Sequence, residues 1–302
     1  MIESGHEFVA PPLRQEAAML LLQPSRQHQG VPFAAREGWR GVLTPSDPRR
    51  NHLLAALPPE TYARLRPDLK PVALPKGSVI HGAGHLERYL YFVTEGIVSR
   101  VYTTSNGESV ESAVTGREGV IGIASVLGGL NMPGWALALS DGFSFRLGVE
   151  LLGREMQHDG PLSRVLLRYI DSLMGQTGRI AACNRHHSLE QRLSRWILSC
   201  LDRMATAEMA MTHELIAEML GVRREGVTQA AGILQDAGMV HCGRGRLAVL
   251  DRQGLEARAC ECYAVLKREH ERLIRPGSRM GDAGEKVACG HSPRDLACAV
   301  SA

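Results

Sequence analysis

Apolar and polar positions fall into three regimes along this chain. Between Pro71 and Leu152 short apolar runs recur at Val79-Ile80, Tyr89 to Val93, Ile97 to Tyr102, Ser109 to Val114 and Ala136 to Phe145, parted by turns such as Ser105-Asn-Gly107. Many short strands at regular spacing predict an antiparallel jelly-roll barrel, which can enclose a small ligand or be filled by its own side chains. From Pro161 to about Arg185 the period lengthens, with Leu162, Leu166, Tyr169, Leu173, Gln176, Ile180 and Cys183 recurring at spacings of four and three. That pattern reads as a coiled-coil seam of about three heptads, hence a dimerisation helix with Gln176 setting register; a helix packed on its own barrel gives the same pattern.

The third regime is the stretch from Thr212 to Gln235, which predicts two short helices and a tight turn. Thr212 is a good N-cap, Ile216, Ala217 and Leu220 share one face, and Gly221 supplies the turn. Val222, Val227, Ala230 and Leu234 restart that face on a second helix. The small Ala217 lets two helices cross steeply within a few residues. Arg223, Arg224, Glu225, Thr228 and Gln229 cluster at the exposed start of the second helix, and Arg and Gln are side chains able to make bidentate contacts with guanine and adenine edges. The apolar runs of Met239 to Leu250 flank Gly243-Arg-Gly-Arg246, a hairpin signal that makes a wing carrying Arg244 and Arg246 toward phosphate. Together these predict a DNA-reading winged helix-turn-helix.

The remaining segments order themselves around these three. Residues 1 to 50 lack periodicity apart from a brief helix at Glu16 to Leu22, and are expected to be a disordered extension; Met19 is an alternative start. Asn51 to Leu65 gives two short amphipathic helices broken at Pro58-Pro59. Ser188-Leu-Glu-Gln191 is a capping-box signature that opens a helix through Trp196, Ile197 and Leu201. One further helix is expected from Gly254 to about Leu273, and the residues beyond are expected to be a disordered tail. The fold class is therefore α+β: a barrel over 51–160, a dimerisation helix over 161–186, and a winged helix-turn-helix domain over 187–273, between an extension at 1–50 and a tail at 274–302.

Composition changes this picture little. A chain of 302 residues, 44% hydrophobic, is long enough for two cores, and a net charge of +3 is too small to argue for nucleic acid by itself. No apolar run approaches the roughly 20 residues of a membrane span, and no signal peptide opens the chain, so a cytoplasmic protein with no membrane partner is expected. All seven cysteines follow residue 182, in an odd number and without the density of a disulfide scaffold, so reduced thiols are the default. Cys260-Glu-Cys262 invites a metal reading, but two residues apart on a helix do not share a face, and Cys289 with His291 in the tail adds little. No metal and no cofactor are expected. The chain also lacks a nucleophile elbow, a P-loop and a dinucleotide fingerprint, so no enzyme is expected.

The order barrel, long helix, helix-turn-helix and wing resembles the Crp/Fnr family of bacterial transcription regulators from about Asn51 to Leu273. Gly221 to Glu225 and Asn184 to Leu193 carry the resemblance most strongly. It implies a homodimer, a cyclic-nucleotide-binding-like barrel as sensor, a palindromic operator in double-stranded DNA, and contact with RNA polymerase. It also implies that Arg224, Glu225 and Gln229 read bases while Thr212 and His213 approach phosphate. Many members carry a basic residue where this chain has Gln229, a departure that bears on the operator and leaves DNA binding untouched. The sensor departs further. Cyclic-AMP-binding members hold the ligand's phosphate with a Gly-Glu pair and, about ten residues on, an Arg-Ser pair; the matching segments here are Gly122-Ile123 and Asn131 to Trp135. A buried cyclic phosphate would lack a cationic partner unless Arg100 or Arg117 took the role. The cysteines by which the oxygen-sensing branch holds an iron-sulfur cluster ahead of and within the barrel are missing too, since none precedes Cys183. The alternative is a ligand- or haem-sensing barrel, resting on His81 and His85, whose DNA binding is secondary.

Overall fold

The computed structural model describes residues 47–129, 133–156, 160–204 and 206–274. The expected N-terminal extension, apart from its last few residues, and the tail beyond Ile274 lie outside these, as do Asn131, Met132, Cys289 and Cys298. The described chain begins with a 3-10 turn, Pro48–Arg50, then α1 (His52–Ala55) and α2 (Pro59–Leu65), separated at the two prolines as the sequence predicts. Buried Asn51 caps α1, its Oδ1 accepting from Leu53 and Leu54 N–H, while its Nδ2 donates to the carbonyls of Val93 and Gly119. One side chain thus fixes the entry helix to the barrel.

Eight strands follow: β1 (Lys70–Leu74), β2 (Val79–His81), β3 (Tyr89–Glu95), β4 (Val98–Thr103), β5 (Ser109–Thr115), β6 (Val120–Ile121), β7 (Trp135–Ala138) and β8 (Gly142–Gly148). They form two four-stranded sheets in the orders β1-β8-β3-β6 and β2-β7-β4-β5, and each pairing is antiparallel. The run Ala136 to Phe145, read as one strand, is two. Leu139 to Asp141 turn the chain, and β7 and β8 join different sheets. Gly142 is forced there, since a Cβ would lie 2.1 Å from the Glu95 carbonyl oxygen. The short β1 and β6 carry too little alternation to be read from sequence.

Beyond the barrel come α3 (Val149–Met156) and the 26-residue α4 (Pro161–His186). Here the expected dimer seam is corrected. Leu162, Leu166, Tyr169, Ile180 and Cys183 are at most 4% exposed within a single chain, and Leu173 packs partly buried against the same core. The Tyr169 hydroxyl is 3.0 Å from Thr115 Oγ1, and Gln176 Nε2 donates to the Val114 carbonyl, so that glutamine binds the barrel rather than a second copy. A helix covering a barrel and a helix in a coiled coil both need apolar residues at spacings of three and four; Leu162, Leu166, Tyr169, Leu173 and Gln176 serve the first purpose, while Cys183 packs against Cys260 and Cys262. The face turned outward carries Leu167 at 54% and Met174 at 70% exposure, followed by exposed Gly178 and Ala181.

After His187 comes α5 (Leu189–Leu201), opened by the predicted capping box: Ser188 Oγ accepts from Gln191 N–H, and the Gln191 side chain accepts from Ser188 N–H. The rest of the chain is β9 (Glu208–Met209), α6 (His213–Leu220), α7 (Arg224–Asp236), β10 (Val240–Gly243), β11 (Arg246–Val249), α8 (Arg252–Arg258) and α9 (Glu261–Ile274). The single helix expected from Gly254 to Leu273 is thus two, because Ala259 and Cys260 leave the helical path between an Asp251 cap and a new start at Glu261. One apolar core runs from Ile97, Val101, Val114 and Leu139 of the barrel through Trp196 and Leu201 into Ile216, Leu220 and Val227. A buried ion pair reinforces this junction. Arg203 Nε donates to Glu118 Oε1 at 2.6 Å, with the two side chains 8% and 4% exposed.

Candidate DNA-reading site

Thr212 caps α6 as predicted, its hydroxyl accepting from Leu215 N–H at 3.2 Å. Gly221 ends that helix in the left-handed region at φ 62°, where a side chain is strained, and a Cβ there would also meet Val110 at 3.2 Å. The Val222 N–H donates to the Ala217 carbonyl and closes the turn. Ile216, Ala217 and Leu220 on α6 and Val227, Ala230 and Leu234 on α7 are all buried, matching the sequence pattern. Burying one face of α7 leaves its other face outward. Arg223 at its N-cap and Arg224, Glu225, Thr228 and Gln229 over its first turns are exposed.

These polar residues are differently tied down. Arg224 Nε lies 3.7 Å from Glu214 Oε2 with both side chains more than half exposed, an ion pair worth about 0–1 kcal/mol and easily exchanged for a DNA contact. Thr228 is held more firmly. Its hydroxyl donates to the Arg224 carbonyl and lies 3.1 Å from His213 Nδ1, so His213 and Thr228 bridge the two helices. The sequence pattern puts Thr228 in the exposed cluster of α7, and the family resemblance implies that His213 approaches phosphate; both also have this bracing contact inside the motif.

The wing is a hairpin of β10 and β11 with register Gly243 opposite Arg246, extended by β9 into a three-stranded sheet. Its two turn residues, Arg244 at φ 49° and Gly245 at φ 74°, give the primed turn that suits a two-residue hairpin loop. Arg244 occupies the tip. Arg246 lies at the strand start, where its guanidinium donates to Glu208 Oε1 at 2.8 Å, a partner that alternation patterns could not reveal because β9 has only two residues.

In the barrel, Gly122 is required by φ 97° and by the Tyr89 carbonyl oxygen 2.2 Å from where a Cβ would stand. Just beyond it, the short 3-10 turn Ile123–Leu127 presents backbone N–H groups, and the buried Glu87 carboxylate accepts from Ala124 N–H at 2.8 Å. His81 Nε2 is 3.2 Å from the other Glu87 oxygen. Burial pushes the His81 imidazole down, against the pull of Glu87. Arg100 is 4% exposed and donates to the Val120 carbonyl, whereas Arg117 and His85 are exposed.

A barrel of this topology, followed by a long helix and a winged helix-turn-helix whose second helix exposes Arg, Glu and Gln, defines a DNA-binding regulator with a sensor-type domain. The chain matches the cyclic nucleotide-binding domain family over residues 71–159 and the Crp-like helix-turn-helix domain family over residues 191–258. It belongs to the Crp/Fnr family of transcriptional regulators, proteins that bind DNA and are not enzymes. It is 25% identical over 187 residues to the global nitrogen regulator of Synechococcus elongatus, covering 58% of this chain and 83% of that protein. With the global nitrogen regulator of a Nostoc species it shares 26% identity over 172 residues, covering 53% of this chain and 76% of that one. Among solved structures, a Crp/Fnr-family transcriptional regulator from Eubacterium rectale superposes with a TM-score of 0.57 at 19% identity, covering 69% of this chain and 98% of its own. FixK2 from Bradyrhizobium japonicum superposes at 0.56 with 21% identity, covering 64% and 98%. No helix of the described residues is long and apolar enough to cross a membrane.

Proposed function

We propose that the protein is a homodimeric regulator that inserts α7 of each protomer into the major groove of a palindromic operator, with half-sites about one helical turn apart. The observation that carries this reading is the exposed polar cluster at the start of α7, set on a helix whose opposite face is buried. Arg224 makes a bidentate contact with guanine, Glu225 accepts from a cytosine amino group, and Gln229 pairs with adenine or leans on a thymine methyl. Arg223, the Thr212 backbone and Arg244 contact phosphates, which position without specifying. Arg246 joins them only by giving up Glu208. The test is selection of bound sequences from random duplex DNA. A palindrome is expected; enrichment of single, unpaired half-sites or of no motif contradicts the reading.

The dimer forms through the outward stripe of α4, Leu167, Met174, Gly178 and Ala181, whose spacings of seven, four and three keep it on one face. The small residues at its C-terminal end let two helices approach closely near the reading heads. The barrel holds no cyclic nucleotide. Ile123 brings no acid, and the Ala124 N–H already binds the Glu87 carboxylate, so a phosphate arriving there meets a negative charge. Contact with RNA polymerase at promoters follows from the family's mode of action.

A further inference from the structure

Two segments far apart in sequence meet where α4 ends. Cys183 and His187 lie four residues apart, on one face of the last turn of α4 and at its C-cap. Opposite them stand Cys260, just before α9, and Cys262 in its first turn. Because Cys260 precedes the helix, the objection that two positions apart on a helix point apart does not apply, and both thiols turn inward. One ligand atom from each of the four residues lies within 4.8 Å of all the others. Cys183 Sγ is 3.5 Å from Cys260 Sγ, and Cys262 Sγ is 3.7 Å from His187 Nδ1.

We propose that Cys183, His187, Cys260 and Cys262 form a structural zinc site that fastens the end of α4 to the start of α9. Zinc holds thiolates at about 2.3 Å in a tetrahedron, which sets its sulfur ligands about 3.8 Å apart, close to the spacings here. A multi-iron cluster interposes iron and sulfide between its ligands and needs wider spacing. Plain packing of three small apolar thiols accounts for their burial, at no more than 4% exposure, but not for an imidazole nitrogen aimed among them.

Two further features fit the ion. His187 Nε2 lies 3.1 Å from Glu261 Oε1, the carboxylate-histidine arrangement that fixes a ligating imidazole through its other nitrogen. Arg195, 2% exposed, stands beside Cys183 with a buried Nε that has no hydrogen-bond partner. Zinc with three thiolates and one neutral imidazole carries a net charge of −1, which that guanidinium balances. It also faces Glu111, whose carboxyl burial pushes up toward the neutral form. The helix-turn-helix and wing lie between the two ligand pairs in sequence, so the ion closes the reading head into a loop anchored on the long helix.

The test uses the full chain, purified without a polyhistidine tag and loaded with zinc or cobalt. One metal ion per chain is expected, with sulfur-to-cobalt charge transfer and tetrahedral d-d absorption in the cobalt form. Cys183→Ser and Cys260→Ser should each reduce stoichiometry at least tenfold, while Cys200→Ser and Cys242→Ser should leave it at one. Glu261→Gln should keep the stoichiometry and weaken affinity about 10- to 100-fold. Because ligand variants can fail to fold, alkylation of the wild-type chain gives an independent readout: metal should protect Cys183, Cys260 and Cys262 and leave Cys242 unchanged. A folded wild-type chain that binds neither zinc nor cobalt stoichiometrically overturns the proposal. A Cys183-Cys260 disulfide, or iron with inorganic sulfide in place of zinc, does so equally.

Discussion

Replacing Arg203 by Met leaves the Glu118 carboxylate buried without its principal cation. In the intact protein that carboxylate also accepts from Gly116 N–H at 3.1 Å and lies 3.7 Å from His270 Nδ1, while Arg203 NH1 donates to the Ser199 carbonyl. Burial alone pushes the Glu118 carboxyl up, but Arg203 and His270 outweigh it and hold the group well below the usual carboxylate range. Removing one partner of such a pair costs about 3–5 kcal/mol, and at about 2–4 °C per kcal/mol for a chain of this order the melting temperature should fall by roughly 10 °C. Glu118→Leu together with Arg203→Met should recover most of the loss, since an apolar pair of similar volume avoids both desolvation costs. The pH dependence adds a signature. In the wild type the pair's contribution is fully present above an unfolded carboxyl value of about 4.3 and is lost as pH falls through the lower folded value. In Arg203→Met burial prevails, the folded value rises above the unfolded one, and the deficit should narrow as pH falls from 7 toward 5. Calorimetric melts of the wild type and the two variants across that range are the assay. A loss below about 0.5 kcal/mol at pH 7, typical of a surface substitution, would refute the assignment of this pair as a fastening between barrel and head.

Met174→Glu on the outward stripe should convert the proposed dimer to a folded monomer by light scattering at micromolar concentration; a dimer of unchanged mass would place the interface elsewhere. Leu166→Glu, by contrast, buries a charge among Leu54, Phe92 and Leu162 and should prevent folding rather than dissociate a dimer. Calorimetric titration with cyclic AMP should show no binding in the low-micromolar range, and Glu87→Gln, which removes the charge at the Ala124 N–H, should raise affinity if it changes it at all. Tight binding by the wild type would mean that Arg100 leaves the Val120 carbonyl to serve the phosphate.

Legibility in the sequence followed how local the governing physics was. The Ser188 capping box, the Thr212 cap, Gly221 and the wing turn each depend on neighbours within a few residues, and each is where the pattern put it. The outward cluster on α7 was legible because its complement, Val227, Ala230 and Leu234, had to be inward. What could not be read depended on partners distant in sequence. Spacings of three and four say that Leu162 to Cys183 is one buried face of a helix but not what buries it: the barrel covers Leu162 to Gln176, and the segment of Cys260 and Cys262 covers Cys183. Ser140-Asp141-Gly142 is a turn signal inside the run Ala136 to Phe145, and the apolar residues on either side masked it, so β7 and β8 were taken as one strand. The cysteines looked scattered because Cys183 and Cys260 are brought together by tertiary packing, and because the helix start at Glu261 was misplaced by seven residues.

The claim that α7 reads bases is tested most directly by Arg224→Ala on a panel of single-base operator variants at two salt concentrations, with Arg244→Ala beside it. Arg224→Ala should cost about 1–3 kcal/mol per half-site and flatten discrimination at one base position, whereas Arg244→Ala should weaken every sequence alike and reduce the salt slope by about one. If Arg224→Ala weakened all variants equally and left base preference intact, Arg224 would be a phosphate contact and α7 would lie in the groove in a different rotation from the one argued here.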